Sequence, residues 1–329
     1  MLGSSLVIVS PALAAANNGN WRTARRWQLL LAQDRPVRVV QHWPDAQASG
    51  DRLMLALHAR RSADSIEAWS QAHPGRGLAV VLTGTDLYQD IRTDPRAQRS
   101  LALAQRLVVL QELGGQALPE SCRDKTRVIF QSTPQRATLA KSGRLLRVVM
   151  VGHLRPVKSP QTLFDAARLL REQDDIRIDH LGDAGDEALA EQARATARDC
   201  PHYRWLGAVP HTQARQRIQR AHVLVHTSAM EGGAHVIMEA VRSGTPVLAS
   251  RVPGNVGMLG ADYGGYFPHG DAQALAGLLQ DCRAGQIAKD PARGLLARLA
   301  GQCAIRAPLF DPSAERAALL QLLHELDPP

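Results

Sequence analysis

The stretch from Val223 to Glu239 constrains the fold of this chain most, because it predicts a buried strand, a turn and a helix in direct succession. Val223–Val225 is continuously apolar, as in a parallel strand that is covered on both faces. Gly232 and Gly233 then allow a turn in which the backbone can approach a ligand closely. Ala234–Arg242 repeats its apolar residues with helical period. The stretch therefore predicts one strand-turn-helix unit of a parallel α/β sheet.

Two glutamates accompany this turn. Glu231 falls in the turn itself, whereas Glu239 falls one or two turns into the helix, on the face that can point back into a cleft. A carboxylate there can accept hydrogen bonds from both hydroxyls of a ribose, and free amides at the start of a helix suit phosphate oxygens. The alternative is an ordinary strand-turn-helix with two solvated glutamates.

The chain has 329 residues, which is too long for one ordinary core and suits two domains of roughly 150 residues each. Ser142–Arg144 predicts a hinge, because the alternation of strands and helices restarts directly after it. We therefore expect a first domain over residues 1–143, a second over 144–310, and a last helix over 311–326 with a broad apolar face. In the first half the alternation predicts a parallel sheet covered by helices, with strands at Ser5–Ser10, Val37–Gln41, Leu53–His58, Leu78–Thr83, Leu107–Leu110 and Arg127–Phe130.

Residues that follow these strands are binding candidates, because ligands of parallel sheets lie beyond the carboxyl ends of the strands. After the first strand, Asn18, Gly19 and Asn20 lead into a helix that opens at Trp21. Asn20 suits an N-cap, Gly19 suits a tight turn, and the helix start offers amides to an anion. A plain capped helix is the alternative.

His58 ends the third predicted strand, and Thr83, Thr85 and Asp86 follow the fourth. A lone histidine at a strand end is more often structural than catalytic, but its place at the same edge as Gly19 and Thr83 strengthens the catalytic interpretation. Asp86 has two equal interpretations: it orients a sugar or an acceptor, or it caps the helix that begins near Leu87.

The composition narrows the class of partner. A formal net charge of +8 at pH 7 would suit nucleic acid, but the basic residues are scattered, and aromatic residues make up 4% of the chain, which leaves few platforms for base stacking. We expect small anionic molecules as ligands and no nucleic acid.

The four cysteines have no paired or metal-like spacing, which favours a reducing, cytoplasmic setting. No apolar run approaches the length of a membrane span, so we expect no membrane partner, and the oligomeric state is left undetermined.

A basic loop opens the second half. The predicted strand Arg147–Gly152 is followed by Arg155 and Lys158 and then by Ser159 and Pro160, a strong N-cap and first-turn pair for the next helix. Arg155 and Lys158 therefore project from a strand-to-helix loop. The alternative is two solvated surface cations.

Two glutamates separated by seven residues and followed by Ala240–Ala249 resemble the nucleotide-sugar site of the family 4 glycosyltransferases, and the resemblance runs from Arg147 to Phe267. It implies the α/β GT-B fold: two Rossmann-like, doubly wound parallel-sheet domains that face across a cleft, with the last helix packed back on the first domain. It also implies that Arg155 and Lys158 neutralise the diphosphate of a UDP-sugar as it departs. Two such cations can do this without a metal, so we expect no metal and no cofactor.

The same resemblance implies the remaining site residues. His235 has an alternative place on the helix surface, and His58 is an orienting group or a phosphate contact. The implied donor-binding residues, besides the two cations, are Glu231, Gly232, Gly233, Ala234, His235 and Glu239. The first domain is expected to hold the acceptor through Asn18, Gly19, Asn20, Thr83, Thr85 and Asp86.

One departure points to a narrower group. Asn255 and Val256 stand where family 4 enzymes usually carry a glutamate; with Asn17–Asn20, Thr83–Tyr88 and Gly152–Lys158, they resemble the selenosugar synthases of selenoneine biosynthesis. This resemblance implies transfer of N-acetylglucosamine from UDP-N-acetylglucosamine to selenophosphate, with loss of UDP and phosphate. Such an acceptor is already anionic, so it needs no strong general base. Transfer to a hydroxyl acceptor and a non-catalytic UDP-sugar-binding protein stay open as alternatives.

Overall fold

The computed structural model of the chain describes residues 5–14 and 19–327. The chain divides into two compact units. The first unit runs to Ser132 and also takes in Glu231–Gly233 and the end of the chain from Leu309. The second unit comprises Thr133–Met230 and Ala234–Pro308.

Each unit is built on a six-stranded sheet whose neighbouring strands are all parallel, which confirms the predicted α/β class. The strand order is β2-β1-β3-β4-β5-β6 in the first unit and β12-β11-β10-β7-β8-β9 in the second. The six strands predicted in the first half are all present, with ends that differ from the prediction by at most two residues. None of the helices that the structure describes is both long enough and apolar enough to cross a membrane.

The bounds of the elements are as follows. The strands are β1 Leu6–Val9, β2 Val37–Val40, β3 Leu53–Leu57, β4 Leu78–Leu82, β5 Arg106–Val109, β6 Thr126–Val128, β7 Leu146–Val151, β8 Ile176–Leu181, β9 Tyr203–Trp205, β10 Val223–His226, β11 Val247–Ser250 and β12 Tyr266–Phe267. The helices are α1 Gly19–Leu31, α2 Ala63–Ala72, α3 Ile91–Thr93, α4 Pro95–Leu103, α5 Gln161–Leu169, α6 Glu187–Asp199, α7 His211–Arg220, α8 His235–Val241, α9 Pro253–Leu259, α10 Ala272–Ile287, α11 Leu295–Arg306 and α12 Pro312–Leu326.

The inner strands β1, β3 and β4 of the first sheet are buried on both faces, which explains why they are continuously apolar. Alternate residues of β1 enter two different cores. Val7 and Val9 join the cluster that contains Trp69 of α2, whereas Leu6 and Ile8 join the cluster that contains Trp27 of α1. Neither face is left for solvent, so the alternating polar pattern of a half-exposed sheet is absent from β1.

The last helix, α12, belongs to the first unit and packs on the same face of the sheet as α1. Leu319, Leu322 and Leu323 are buried in the cluster around Trp27. Glu315 of α12 is also buried, with a fully covered side chain. Its carboxylate accepts hydrogen bonds from Trp27 Nε1 at 2.6 Å, from Arg26 Nε at 2.9 Å and from the Ser132 amide at 2.8 Å.

We expect Glu315→Gln to lower the free energy of unfolding by about 1–3 kcal/mol, because the new amide NH₂ would face donors where an acceptor is required. Urea unfolding followed by tryptophan fluorescence measures this, since four of the five tryptophans precede Ser132. The exposed Glu120→Gln is the matched control and should change stability by less than about 0.5 kcal/mol. Equal stability of the two variants would contradict the role given to Glu315.

The segment that connects the sheets belongs to the second unit, so the division at Ser132 lies earlier than the predicted hinge at Ser142–Arg144. The Arg136 amide donates to the Arg242 carbonyl at 2.9 Å. The Gln219 side chain donates to the Ala137 carbonyl at 2.7 Å. Local sequence shows where strand alternation restarts, but these tertiary hydrogen bonds decide to which unit the connection is attached.

Candidate functional site

The carboxyl ends of β10, β7 and β8 lie side by side, because these strands are parallel neighbours in the second sheet. The loop after β7 contains a 3₁₀ turn at Pro156–Lys158. The Thr227 hydroxyl, which follows β10, donates a 2.7 Å hydrogen bond to the Lys158 carbonyl. The Ala229 amide donates to the Val157 carbonyl at 2.9 Å. The exit of β10 therefore holds the basic loop in place.

The exits of β7 and β8 meet through glycine. Gly182 has a φ of +154°, and a Cβ at this position would lie 1.9 Å from the Gly152 carbonyl oxygen. Beside this contact, the Asp183 amide donates to His153 Nδ1 at 3.0 Å, and the Leu154 amide donates to the Asp183 carbonyl at 2.9 Å. Gly182 thus lets two backbones meet where a side chain has no room.

Arg155 and Lys158 lie in this strand-to-helix loop. Arg155 is exposed, and its side chain runs beside Gly185, where a Cβ would be 3.0 Å from Arg155 Cγ. Lys158 is half-buried, with its Cγ 3.9 Å from the position of a Cβ on Gly152. Two cations on one loop at the carboxyl edge of a sheet favour an anionic ligand there.

Ser159 does not cap the following helix, contrary to the prediction. Its backbone is left-handed with a φ of +45°, and α5 begins later, at Gln161, without a side-chain cap. The Ser159 hydroxyl lies 2.8 Å from His269 Nε2 instead. Ser159 is instead the C-cap of the short 3₁₀ turn before α5, and Pro160 directly precedes the helix.

Glu239 is buried in α8, with 4% of its surface exposed. Its Oε1 lies 2.6 Å from Nε2 of His211, the first residue of α7. Arg215, one turn further along α7, is also close: burial lowers the pKa of its guanidinium, and the charge of Glu239 partly offsets that effect. The sequence did not predict the His211 contact, because no local pattern connects two residues on different helices.

Helix α8 is shorter than expected, and the amide that directly precedes it already has a hydrogen-bond acceptor. The helix spans seven residues and begins at His235, which is half-buried. The Ala234 amide donates to Met258 Sδ at 3.0 Å. A thioether sulfur is a weak acceptor, so a phosphate oxygen at this amide would have to displace the Met258 contact.

The glycines before α8 belong to the first unit together with Glu231. A Cβ on Gly232 would lie 2.4 Å from the Thr83 carbonyl oxygen, and one on Gly233 would lie 2.8 Å from Leu110 Cβ. The sequence predicted that glycine allows a ligand to approach here. In the structure, glycine is required because protein atoms already occupy the space.

His58 is buried at the end of β3 in a left-handed conformation, with a φ of +73°. Its Nδ1 accepts from the Arg61 amide at 3.3 Å, so Nε2 carries the proton and donates to Thr85 Oγ1 at 3.2 Å. Burial lowers the pKa of His58. The ring is therefore a neutral hydrogen-bonding group at pH 7, beside an exposed threonine.

Asp86 is not the predicted helix cap: it is the first residue of the helical turn Asp86–Asp90, which has no side-chain cap. Its side chain is fully buried, and Oδ1 accepts from the Thr83 and Gly84 amides, each at 2.9 Å. Oδ2 accepts from the Ala59 amide at 3.0 Å. Asp86 therefore joins the exits of β3 and β4, and its carboxylate is occupied by backbone donors.

The start of the first helix differs from its prediction. Asn18 lies outside the described residues. Gly19 is the first residue of α1 and Asn20 the second, so Asn20 is not the N-cap. A Cβ on Gly19 would meet no atom within 4 Å, so packing does not require glycine there. Arg26, on the same helix, is paired with Glu315 and is not available to an anion.

Asn255, where the resembled family carries glutamate, is fully buried in α9. Its Nδ2 donates to the Ser250 carbonyl at 2.9 Å, at the exit of β11. The Ser250 hydroxyl donates in turn to the Ser228 carbonyl at 2.6 Å. Asn255 thus links α9 to the carboxyl end of β11, which is itself hydrogen-bonded to the segment after β10.

Residues 131–290 match the family described as "Glycosyl transferases group 1". A D-inositol 3-phosphate glycosyltransferase of Corynebacterium glutamicum (strain R) is 33% identical over a 162-residue alignment, and the match covers 44% of this chain and 39% of that relative. The chain thus spans less than two thirds of that protein's length.

Two solved structures resemble nearly the whole chain. Anabaena Alr3699/HepE in complex with UDP has a TM-score of 0.73 at 16% identity, covering 98% of this chain and 99% of that one. Sucrose-phosphate synthase from Thermosynechococcus elongatus has a TM-score of 0.75 at 17% identity, with 98% and 99% covered. Residues 131–290 therefore resemble the group 1 glycosyl transferase family, in a chain whose two parallel sheets have the GT-B fold.

Proposed function

We propose that this chain is a UDP-sugar-dependent glycosyltransferase whose second unit binds the donor. The observation that carries the proposal is the basic loop of Arg155 and Lys158, held between the exits of β10 and β8. Both cations and Glu239 lie within the matched residues 131–290. The similar Anabaena structure contains UDP, which agrees with this choice of nucleotide.

In the proposed reaction the two cations balance the charge that grows on the UDP diphosphate as its bond to the anomeric carbon breaks. Glu239 accepts hydrogen bonds from the ribose hydroxyls. His211 orients the Glu239 carboxylate, so it is a positioning residue. The amides and side chains of Glu231, Gly232, Gly233, Ala234 and His235 are assigned to the donor by resemblance, and no metal or cofactor takes part.

The acceptor in the full proposal is selenophosphate and the transferred sugar is N-acetylglucosamine. The selenium atom forms a bond to the anomeric carbon while the bond to UDP breaks, and water then cleaves the P–Se bond to give phosphate and a 1-selenosugar. An anionic, polarisable nucleophile needs no deprotonation. Neutral His58 and the Thr85 hydroxyl are proposed to orient the acceptor beside Asn18, Gly19, Asn20 and Thr83, while Asp86 keeps their loop in shape.

The test is to incubate the purified chain with UDP-N-acetylglucosamine and selenophosphate and to search by mass spectrometry for a selenium-bearing hexosamine. Release of UDP that depends on selenophosphate is the expected companion signal. UDP release that is independent of selenophosphate would contradict the proposed acceptor but keep the transferase. The absence of any turnover with a panel of UDP-sugars and acceptors would contradict both and leave a UDP-sugar-binding protein.

A hydroxyl acceptor is the second candidate, because the Corynebacterium relative is named for transfer to D-inositol 3-phosphate. Oxygen acceptors are poor nucleophiles until a base removes their proton. His58 Nε2 already donates to Thr85 and Nδ1 accepts from the Arg61 amide, so a hydroxyl acceptor requires a base other than His58 in this tautomer. Inositol phosphates and simple sugar phosphates, assayed beside selenophosphate, distinguish the two acceptor classes.

We expect Glu239→Gln to weaken UDP binding by about tenfold to a hundredfold, because the neutral amide loses charge-assisted hydrogen bonds to the ribose. Isothermal titration calorimetry measures the dissociation constant, and circular dichroism checks the fold. The exposed Glu172→Gln is the control, with 83% of its side chain in solvent. Equal UDP affinity of both variants would remove the ribose assignment.

A further inference from the structure

Besides the basic loop, the second unit has a basic pocket at the opposite end of its strands from Arg155. Its volume is about 80 Å³, and its lining includes Lys141, Arg147, Arg220 and His222. Arg147 is the second residue of β7, and His222 directly precedes β10, so the pocket lies at the amino ends of the strands. It is separate from the loop to which the donor is assigned.

The pocket collects positive charge that the protein does not neutralise. Within residues 5–14 and 19–327, no carboxylate lies within ion-pair distance of Lys141, Arg147 or Arg220. The ammonium of Lys141 lies 3.2 Å from the Thr245 hydroxyl, which carries no charge. Burial lowers the pKa of Lys141 to about 8, because an ammonium is less stable away from water.

His222 adds hydrogen bonding but no charge. Its Nδ1 accepts from the Arg147 amide at 2.9 Å, so Nε2 carries the proton and donates to the Ser142 carbonyl at 3.1 Å. Burial, followed by the charge of Lys141, lowers the pKa of His222 to about 4. Burial is the larger cause of the lowered pKa, and the neighbouring cations Lys141 and Arg147 act in the same direction.

We propose that this pocket binds a small tetrahedral oxyanion, either inorganic phosphate or the phosphate end of a small metabolite. Its volume accommodates several waters or one such anion. Ligand pockets for whole drug-sized molecules are about 300–1,000 Å³, so a nucleotide does not fit inside. Lys141 and Arg220 supply the charge-assisted hydrogen bonds, and the anion offsets the burial of the Lys141 ammonium.

Phosphate is titrated against the full chain by calorimetry and by thermal unfolding, with chloride at equal ionic strength as the reference. We expect Lys141→Met and Arg220→Gln each to weaken phosphate binding at least about tenfold. Lys141→Met removes a buried charge, so it should fold. Arg144→Gln, an exposed change in the same segment, is the control and should bind phosphate normally.

Three outcomes would overturn the proposal: no phosphate effect beyond that of chloride, equal losses in all variants including Arg144→Gln, or loss of the effect in Lys158→Met, which would place the anion at the donor loop. Glycerol phosphate distinguishes free phosphate from the phosphate end of a metabolite as the ligand. It should bind with the affinity of free phosphate only if the pocket is open enough to solvent to admit the glycerol group.

A second measurement uses ¹³C-dimethylation of the four lysines and NMR. Phosphate should raise the pKa of Lys141 and leave that of Lys289 unchanged.

Discussion

Replacing Lys158 or Arg155 with alanine is expected to lower turnover roughly tenfold to a thousandfold, the scale of losing one preorganised contact to transition-state charge. The negative charge of the UDP leaving group is greatest as the glycosidic bond breaks, so kcat should fall more than KM rises. UDP release in the presence of donor and acceptor measures this effect. The loop itself should survive, because its hydrogen bonds to Thr227 and Ala229 use backbone carbonyls that alanine retains.

The control is Lys289→Ala, which removes an exposed cation from the same unit. It should leave turnover unchanged and so separate a specific effect from a general loss of positive charge. Rates near the wild-type value in both Arg155→Ala and Lys158→Ala, with correctly folded protein, would remove the two cations from the mechanism.

Gly182→Ala is expected to lower the free energy of unfolding by about 3 kcal/mol or more, through a backbone clash and an unfavourable φ together. The methyl group would lie 1.9 Å from the Gly152 oxygen and 2.8 Å from the His153 nitrogen, so the exits of β7 and β8 must separate. Urea unfolding followed by circular dichroism measures the loss. Because Arg155 lies two residues beyond His153, kcat should also fall.

Gly277→Ala is the matched control for this change. Gly277 lies inside α10, and a Cβ there would meet no atom within 4 Å. The same added methyl should therefore raise stability by about 0.5–1 kcal/mol through helix propensity. Opposite signs for the two substitutions are the expected result, and equal shifts would contradict the proposed contact between the two strand exits.

Much of the fold was accessible from local pattern. Parallel strands that are buried on both faces must be apolar throughout. Apolar runs such as Leu53–Leu57 and Val223–Val225 can therefore be recognised as strands from the sequence. The loop with Arg155 and Lys158 was found because it directly follows such a strand. Helix starts were predicted less well. Ser159 and Asn20 both have N-cap chemistry, yet Ser159 is the residue that ends a 3₁₀ turn and Asn20 lies inside α1.

Contacts between distant segments were not accessible. His211 and Glu239 are 28 residues apart, and Arg26 and Glu315 are 289 apart. Neither pair repeats with any period, and each depends on which helices happen to pack together. The same holds for Lys141: that no carboxylate of the described residues lies within ion-pair distance of it is a property of its surroundings in three dimensions.

The sequence by itself determined the α/β class, the strand positions and the place of the two cations after a strand, because burial and turn propensity act over a few neighbouring residues. Only the tertiary structure showed which atoms leave no room for a side chain at Gly182 and Gly232, and that Glu231–Gly233 belong to the first unit. Close approach between backbones is set by the packing of segments far apart in the chain. A glycine in a sequence indicates that a side chain does not fit at that position, but only the folded chain shows which atoms occupy the space.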